Sequence, residues 1–194
     1  MKSIIEWIVS IIVSIVIVVA INTFIIQSHQ VSGESMSPTF KDGDRVIVQK
    51  LLYGEKHIQR GDVIVFQATK EKRYIKRVIA TPGDTMRYEH DQLFVNGKKV
   101  SEPYLDANKK KKDAETNMIQ NIPLTEDITV AEMANSNGSK TVPKGMMVVM
   151  GDNRQNSTDS RDPRLGLVHE DKIVGKVVFR YYPFSTFKYD FDTH

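Results

Sequence analysis

The sequence predicts a mostly β protein, with one N-terminal transmembrane helix followed by an antiparallel β-rich core that carries a smaller β/loop insert. Two observations support this fold class. Residues 7–26 contain no charged side chain, and 13 of these 20 residues are Ile or Val. Beyond them, short β-branched and aromatic runs alternate with turns containing Gly, Asn or Asp.

The apolar stretch 7–26 is long enough to cross a bilayer. A 20-residue helix is about 30 Å long, which matches the hydrocarbon thickness of a membrane. The alternative is a cleaved secretory signal peptide, but such a segment has an apolar run of about 7 to 15 residues. No small-x-small cleavage pattern follows the stretch before Gln27. We therefore predict a short cytoplasmic tail at 1–6 and a retained anchor at 7–26.

The rest of the chain is predicted as strands joined by turns. A hairpin is expected at 93–100, because Asn96-Gly97 suits a type I′ turn. No long helical periodicity appears after the anchor. The predicted strands are 45–48, 62–66, 74–79, 93–95, 146–150 and 173–182.

Residues 109–140 interrupt this alternation of strands and turns, since they are rich in Lys, Asn, Thr, Ser and Asp and have few apolar runs. We predict a loop-rich region inside an insert at 85–145, flanked by a catalytic core made of 27–84 and 146–194. The lysine run 109–112 could bind anionic lipid, but a solvated surface is the favoured interpretation.

Composition excludes several kinds of site. With no cysteine in 194 residues, the chain has no disulfide, thiolate metal site or cysteine nucleophile. Its 27 basic and 24 acidic residues nearly balance, so the net charge does not indicate a nucleic-acid binder. No two of the five histidines have metal-ligand spacing. We expect no metal, no cofactor and no nucleic-acid partner.

Ser35 and Lys76 are the candidate nucleophile and base. Ser35 follows the last apolar residue of the anchor by nine positions, although a plain Ser-Pro-Thr turn is the simpler interpretation of that segment alone. Lys76 lies within an apolar strand, where alternation places it and Arg77 on opposite faces, so that one of the two cations enters a partly dry environment. Lowering a lysine pKa from about 10.4 to near 8 requires roughly 3 kcal/mol, which burial can supply. An exposed edge-strand lysine is the alternative.

The polar segment 151–161 follows a predicted strand and is either a solvated turn or a set of side chains that hold the site in place. Three earlier blocks accompany it, and the four in chain order are SMSPT at 35–39, RGDVIVF at 60–66, YIKRVIATPGD at 74–84 and GDNRQNSTDSR at 151–161. Together these four blocks resemble bacterial type I signal peptidase, in the form found in Gram-positive bacteria. The ordered set is far more specific than any one block.

The resemblance implies roles for single residues. Ser35 matches the nucleophile and Lys76 the general base of a Ser/Lys dyad. Ser157 matches a serine whose hydroxyl orients the lysine amine. Two family carboxylates that pair with arginines correspond to two positions here, and the pairings implied are Asp152 with Arg77 and Asp159 with Arg161.

The oxyanion would be held by the backbone N–H of Ser35. Some family members have a second donor, a serine two residues before the nucleophile, but here Gly33 occupies that position and has no hydroxyl. Met36 and Tyr74 are expected to line the substrate pocket.

The implied activity is removal of N-terminal signal peptides from exported preproteins, with cleavage after small-x-small (A-x-A-like) sites through an acyl-enzyme. The partners are preproteins and the lipid bilayer, and the catalytic domain would lie on the extracellular side with the N-terminus in the cytoplasm. The aromatics Phe179, Tyr181, Tyr182, Phe184 and Phe187 contact either the membrane interface or the core. Two alternatives stay open, namely a Ser/Lys protease with one dedicated substrate and a non-catalytic peptide-binding β module.

Overall fold

A computed structural model describes residues 2–24, 26–50, 58–116, 123–189 and 191. These residues form two α-helices and twelve β-strands, with short 3₁₀ turns between some of them. The helices are α1 (Lys2–Phe24) and α2 (Asp106–Thr116). The strands are β1 (Ile26–Gln30), β2 (Arg45–Lys50), β3 (Val63–Gln67), β4 (Arg73–Ala80), β5 (Met86–Glu89), β6 (Gln92–Val95), β7 (Lys98–Val100), β8 (Ile128–Thr129), β9 (Met146–Met150), β10 (Val168–His169), β11 (Ile173–Tyr182) and β12 (Lys188–Tyr189).

The strands form two antiparallel sheets, so the prediction of a mostly antiparallel β fold is confirmed. In the described part of the chain, the larger sheet has the order β1-β2-β11-β3-β4-β9-β10, and β12 pairs with β11. The smaller sheet has the order β7-β6-β5-β8. Each of the six predicted strands is present within one or two residues of its predicted bounds.

Strand β3 lies at the centre of the larger sheet and is buried on both faces. Val63 and Val65 pack into one apolar cluster, while Ile64 and Phe66 pack into another on the opposite side. An unbroken apolar run is the expected sequence of a strand covered on both faces. This strand therefore provides a rigid support for its neighbour β4, which carries Lys76.

The smaller sheet lies within the range predicted as an insert. Its β6–β7 hairpin turns at Asn96 and Gly97, whose φ values are 51° and 75°. Both values are positive, as a type I′ turn requires, so the predicted hairpin is confirmed. Apolar side chains of β5 and β6 share a core cluster with Val148 and Met150 of β9, and this cluster joins the two sheets.

Helix α2 was not predicted. Lys109, Lys110, Lys111 and Lys112 fall within it, whereas the sequence predicted a loop-rich stretch from residue 109. Lysine is a good helix former and the segment lacks Gly and Pro, so a polar helix is compatible with this composition. The prediction was wrong because it took a polar composition as a sign of irregular structure.

Helix α1 begins at Lys2 and ends at Phe24, whereas the predicted anchor spanned 7–26. Ile26 already belongs to β1, and residue 25 lies outside the described part. The large apolar side chains described between Ile4 and Val19 are 49% to 72% exposed. In the part of the chain that the structure describes, no helix meets the length and hydropathy expected of a membrane span.

Candidate active site

The central feature of the site is a contact between Ser35 and Lys76, which are 41 residues apart in the chain. Ser35 lies in the turn that follows β1, and Lys76 lies in the middle of β4. Lys76 Nζ is 2.6 Å from Ser35 Oγ and also donates to the carbonyl of Ile75 at 3.0 Å. A base within hydrogen-bond distance of a serine hydroxyl can take its proton.

Burial of Lys76 changes its acidity. The side chain is only 3% exposed. Burial lowers the pKa of Lys76 to about 8, against the opposing effect of the Asp159 and Asp152 carboxylates, and Arg161 lowers it further. About half of such a lysine is neutral at pH 8, so an uncharged amine is available next to Ser35.

Arg77 is also buried, at 1% exposure, although strand alternation predicted that only one of the two adjacent cations would enter a dry environment. All three nitrogens of its guanidinium donate hydrogen bonds. Nε and Nη2 bind the two oxygens of Asp152 at 2.9 and 2.8 Å, and Nη1 donates to the carbonyls of Gly61 and Phe191. Bidentate pairing and two carbonyl acceptors compensate for the burial of this charge.

A second buried carboxylate, Asp159, is held in the same way by Arg161. Nε and Nη2 of Arg161 donate to Asp159 at 2.8 and 2.7 Å, and the Gly151 N–H donates to the same carboxylate at 3.0 Å. Burial raises the pKa of Asp159, but the hydrogen bonds and charge of Arg161, together with the Gly151 N–H and Ser157, outweigh the effect of burial and lower the net pKa. Asp159 therefore stays ionised near Lys76.

The loop after β9 also fixes the nucleophile turn, which is the turn at 33–40 that carries the predicted nucleophile Ser35. The Asn153 N–H donates to the carbonyl of Ser35 at 3.0 Å, and its side-chain amide donates to the carbonyl of Glu34 at 3.2 Å. Thr39 Oγ1 donates to Asp152 at 2.5 Å. Three hydrogen bonds thus hold the turn and the loop against each other on both sides of Ser35.

Ser157 does not make the hydrogen bond that the resemblance implied. Its Oγ is buried and makes no hydrogen bond of normal geometry with a described residue, although its proximity to the Asp159 carboxylate helps to lower the pKa of Asp159. The Lys76 amine donates instead to the Ser35 hydroxyl and to the Ile75 carbonyl. Ser157 packs against Gly151, where a Cβ would lie 2.3 Å from its Oγ.

A cleft of about 320 Å³ leads to the Ser35–Lys76 pair. Its two long walls are the segments 29–35 and 73–76, and Tyr74 is part of the second wall. Met36 does not line the cleft, contrary to the prediction, because its side chain is fully buried in the apolar cluster that includes Phe40. The turn after Ser35 directs Met36 into the core.

Two backbone N–H groups were candidates near the oxyanion position. Gly33 N donates to Asp42 Oδ1 at 2.7 Å, so this N–H is already occupied. Within the described residues, the Ser35 N–H has no hydrogen-bond acceptor. Only the Ser35 N–H of these two is therefore free to bind a developing negative charge.

A buried network from the smaller sheet reaches the same loop, and sequence reasoning missed it. Arg154 pairs with Glu102 at 2.6 Å, donates to the Gly151 carbonyl at 3.1 Å and contacts the Tyr88 hydroxyl. Arg154 lies in the polar segment 151–161, but Tyr88 and Glu102 have no local pattern that marks them. In the described ranges, no group of His, Asp or Glu side chains is arranged to hold a metal ion.

Comparison with known proteins gives consistent matches. The family model for signal peptidase, peptidase S26, matches residues 4–182. Signal peptidase IB of Staphylococcus aureus (strain MRSA252) is 46% identical over 192 residues, which cover 98% of this chain and 96% of that protein. Signal peptidase I of Bacillus caldolyticus is 44% identical over 179 residues, 92% of each chain. The crystal structure of a signal peptidase I from Enterococcus faecalis V583 has a TM-score of 0.53 at 38% identity, covering 63% of this chain and 98% of that one.

Proposed function

The chain belongs to the signal peptidase family, peptidase S26, and we propose that it removes signal peptides with Ser35 as nucleophile and Lys76 as general base. One observation carries the assignment of these two residues. The amine of a buried lysine lies 2.6 Å from a serine hydroxyl at the end of an open cleft.

The reaction follows from this geometry. Neutral Lys76 takes the proton of the Ser35 hydroxyl while Oγ attacks the scissile carbonyl, and the Ser35 N–H stabilises the oxyanion. The tetrahedral intermediate collapses as Lys76 returns the proton to the leaving amine, which leaves an acyl-enzyme. A water molecule, deprotonated by Lys76, then hydrolyses the ester and restores the free hydroxyl.

Buried ion pairs maintain the dyad. Arg77–Asp152 anchors the strand of Lys76 to the loop that binds the nucleophile turn. Arg161–Asp159 keeps a second buried carboxylate paired close to the Lys76 amine. Neither pair touches the hydroxyl that reacts, so we assign positioning roles to both.

The substrate would bind as an added strand between the cleft walls. Within the described residues, β1 pairs only with β2, and β4 pairs with β9 only from Arg77 onward. At 73–76, β4 is paired with β3 on one side, and its opposite edge faces the cleft without a strand partner among the described residues. An extended peptide can bond to such an edge, and small side chains at positions −1 and −3 would suit shallow pockets there.

We also propose that α1 anchors the enzyme as a single-pass helix, with the N-terminus in the cytoplasm and the catalytic domain outside. Its large apolar side chains are exposed along the described part of the helix, which is costly in water. Phe184 and Phe187 are 79% and 58% exposed and lie on the same chain segment as exposed Tyr182 and Tyr189. Aromatic residues of this kind favour the membrane interface.

The function is tested by incubating the detergent-solubilised full-length protein with a preprotein that carries an A-x-A site. We expect one cut directly after that site, located by mass spectrometry. If several competent preproteins stay intact, a protease with a dedicated substrate or a non-catalytic module is favoured instead.

The pH dependence of cleavage should report the Lys76 pKa. Because the base must be neutral, kcat/KM is expected to rise about tenfold per pH unit below 8 and to level off above it. The measurement uses a peptide substrate without titratable groups near the cleaved bond. An inflection near pH 10, the value of an ordinary lysine, would contradict the assignment of the buried amine as the base.

A further inference from the structure

Asn108 in α2 contacts both segments that build the candidate site. Its Nδ2 donates to the carbonyl of Ser37 at 3.0 Å and to the carbonyl of Asp152 at 2.8 Å. Ser37 lies two residues after Ser35, and Asp152 directly precedes Asn153, which binds the Ser35 carbonyl. A single side-chain amide therefore bridges the nucleophile turn and the loop after β9.

The two carbonyls depend on this amide. Among the described residues, no other donor reaches the carbonyl of Ser37 or that of Asp152. A buried carbonyl without a donor is unfavourable, and both groups lie in a partly buried position. Asn108 therefore links the turn to the loop after β9 at a point beyond Ser35, through the Ser37 carbonyl, while Asn153 links them at the carbonyls of Glu34 and Ser35.

The start of α2 is itself fixed, so Asn108 has a defined position. Tyr104 precedes the helix, and its hydroxyl donates to Glu102 at 2.7 Å. Glu102 is paired with buried Arg154, and the Arg77 guanidinium lies 4.1 Å from the centre of the Tyr104 ring. These contacts hold the helix against the same loop that Asn108 binds.

We propose that Asn108 is a positioning residue for the Ser35 nucleophile, acting from the smaller sheet's side of the molecule through the Ser37 and Asp152 carbonyls. This inference rests on the proposed function. Loss of the bridge would let the turn move relative to Lys76, and displacements of about 1 Å can cost about 10²-fold in rate. The lysine-rich helix α2 is then part of the support of the active site as well as a solvated surface element.

The test compares Asn108→Asp with Asn135→Asp in the full-length protein. Asn135 is a matched control, because its Nδ2 also donates to two backbone carbonyls, those of Leu165 and Leu167 at 3.1 and 3.3 Å. Each substitution removes the donor and keeps the size of the side chain. A third variant, Asn108→Ala, removes the donor without adding a charge.

Both Asn108 variants are expected to lower kcat at least tenfold. KM should stay within about twofold and the pH inflection should not move, because Asn108 contacts neither the cleft nor Lys76. Asn135→Asp should keep wild-type kcat, with unfolding temperatures measured for all variants. The proposed function fails if the wild type leaves A-x-A preproteins uncut. The inference alone fails if the wild type cleaves and the Asn108 variants keep their kcat, or lose it only as far as Asn135→Asp does.

Discussion

Lys76→Arg is expected to lower kcat/KM for an A-x-A preprotein about 10⁴-fold or more while the protein stays folded. Arginine keeps the positive charge and much of the stem of the side chain, but it cannot lose its proton at a usable pH. No neutral base would then stand next to Ser35. Ser35→Ala removes the other member of the pair and should have an effect of similar size.

These variants are assayed with the detergent-solubilised protein, and circular dichroism and thermal unfolding verify the fold. Because the two residues act in one step, Ser35→Ala combined with Lys76→Ala should cleave no more slowly than either single variant. Lys176→Arg is the matched control, since Lys176 is also a strand lysine and pairs with Asp62 at 2.9 Å. Substantial turnover by Lys76→Arg, at a rate near that of this control, would exclude Lys76 as the base.

Local patterns predicted the elements that local chemistry determines. The strand at Val63–Gln67 follows from a continuous β-branched run, and the hairpin after Gln92–Val95 follows from Asn96-Gly97. The chemistry of Ser35 and Lys76 was suggested by their motif context. Their contact could not be derived from spacing alone, because it depends on how the turn after β1 packs against β4.

The parts that sequence reasoning missed depend on contacts between distant residues. Arg77 is as buried as Lys76 because Asp152, 75 residues away, supplies a bidentate partner. Glu102 and Asn108 reach the site from the predicted insert, at positions before the polar stretch 109–140, and no local pattern marks either of them. Charge and polarity describe how a residue prefers to be solvated, and a buried partner from another part of the chain overrides that preference.

Gly151→Ala is expected to lower kcat about 10²-fold, although the substitution adds a single methyl group. The φ of Gly151 lies outside the left-handed region, so glycine is required there by close contact. A Cβ would lie 2.3 Å from Ser157 Oγ and 2.4 Å from the backbone carbonyl of Ser35. Both groups in the second contact are backbone, so its relief changes the position of the nucleophile turn relative to the loop after β9.

Gly175→Ala is the control that separates loss of geometry from loss of stability. Its Cβ would lie 2.1 Å from the carbonyl of Gln49, an equally severe backbone contact between β11 and β2. Both variants should unfold at a lower temperature, but only Gly151→Ala should lose kcat when rates are compared per folded molecule. Equal rates for the two would mean that the position of the Ser35 backbone tolerates such a shift. A loss of kcat at Gly151 alone would mean that the rate depends on close packing of the loop after β9 against the Ser35 backbone, since Ser35 and Lys76 themselves are unchanged.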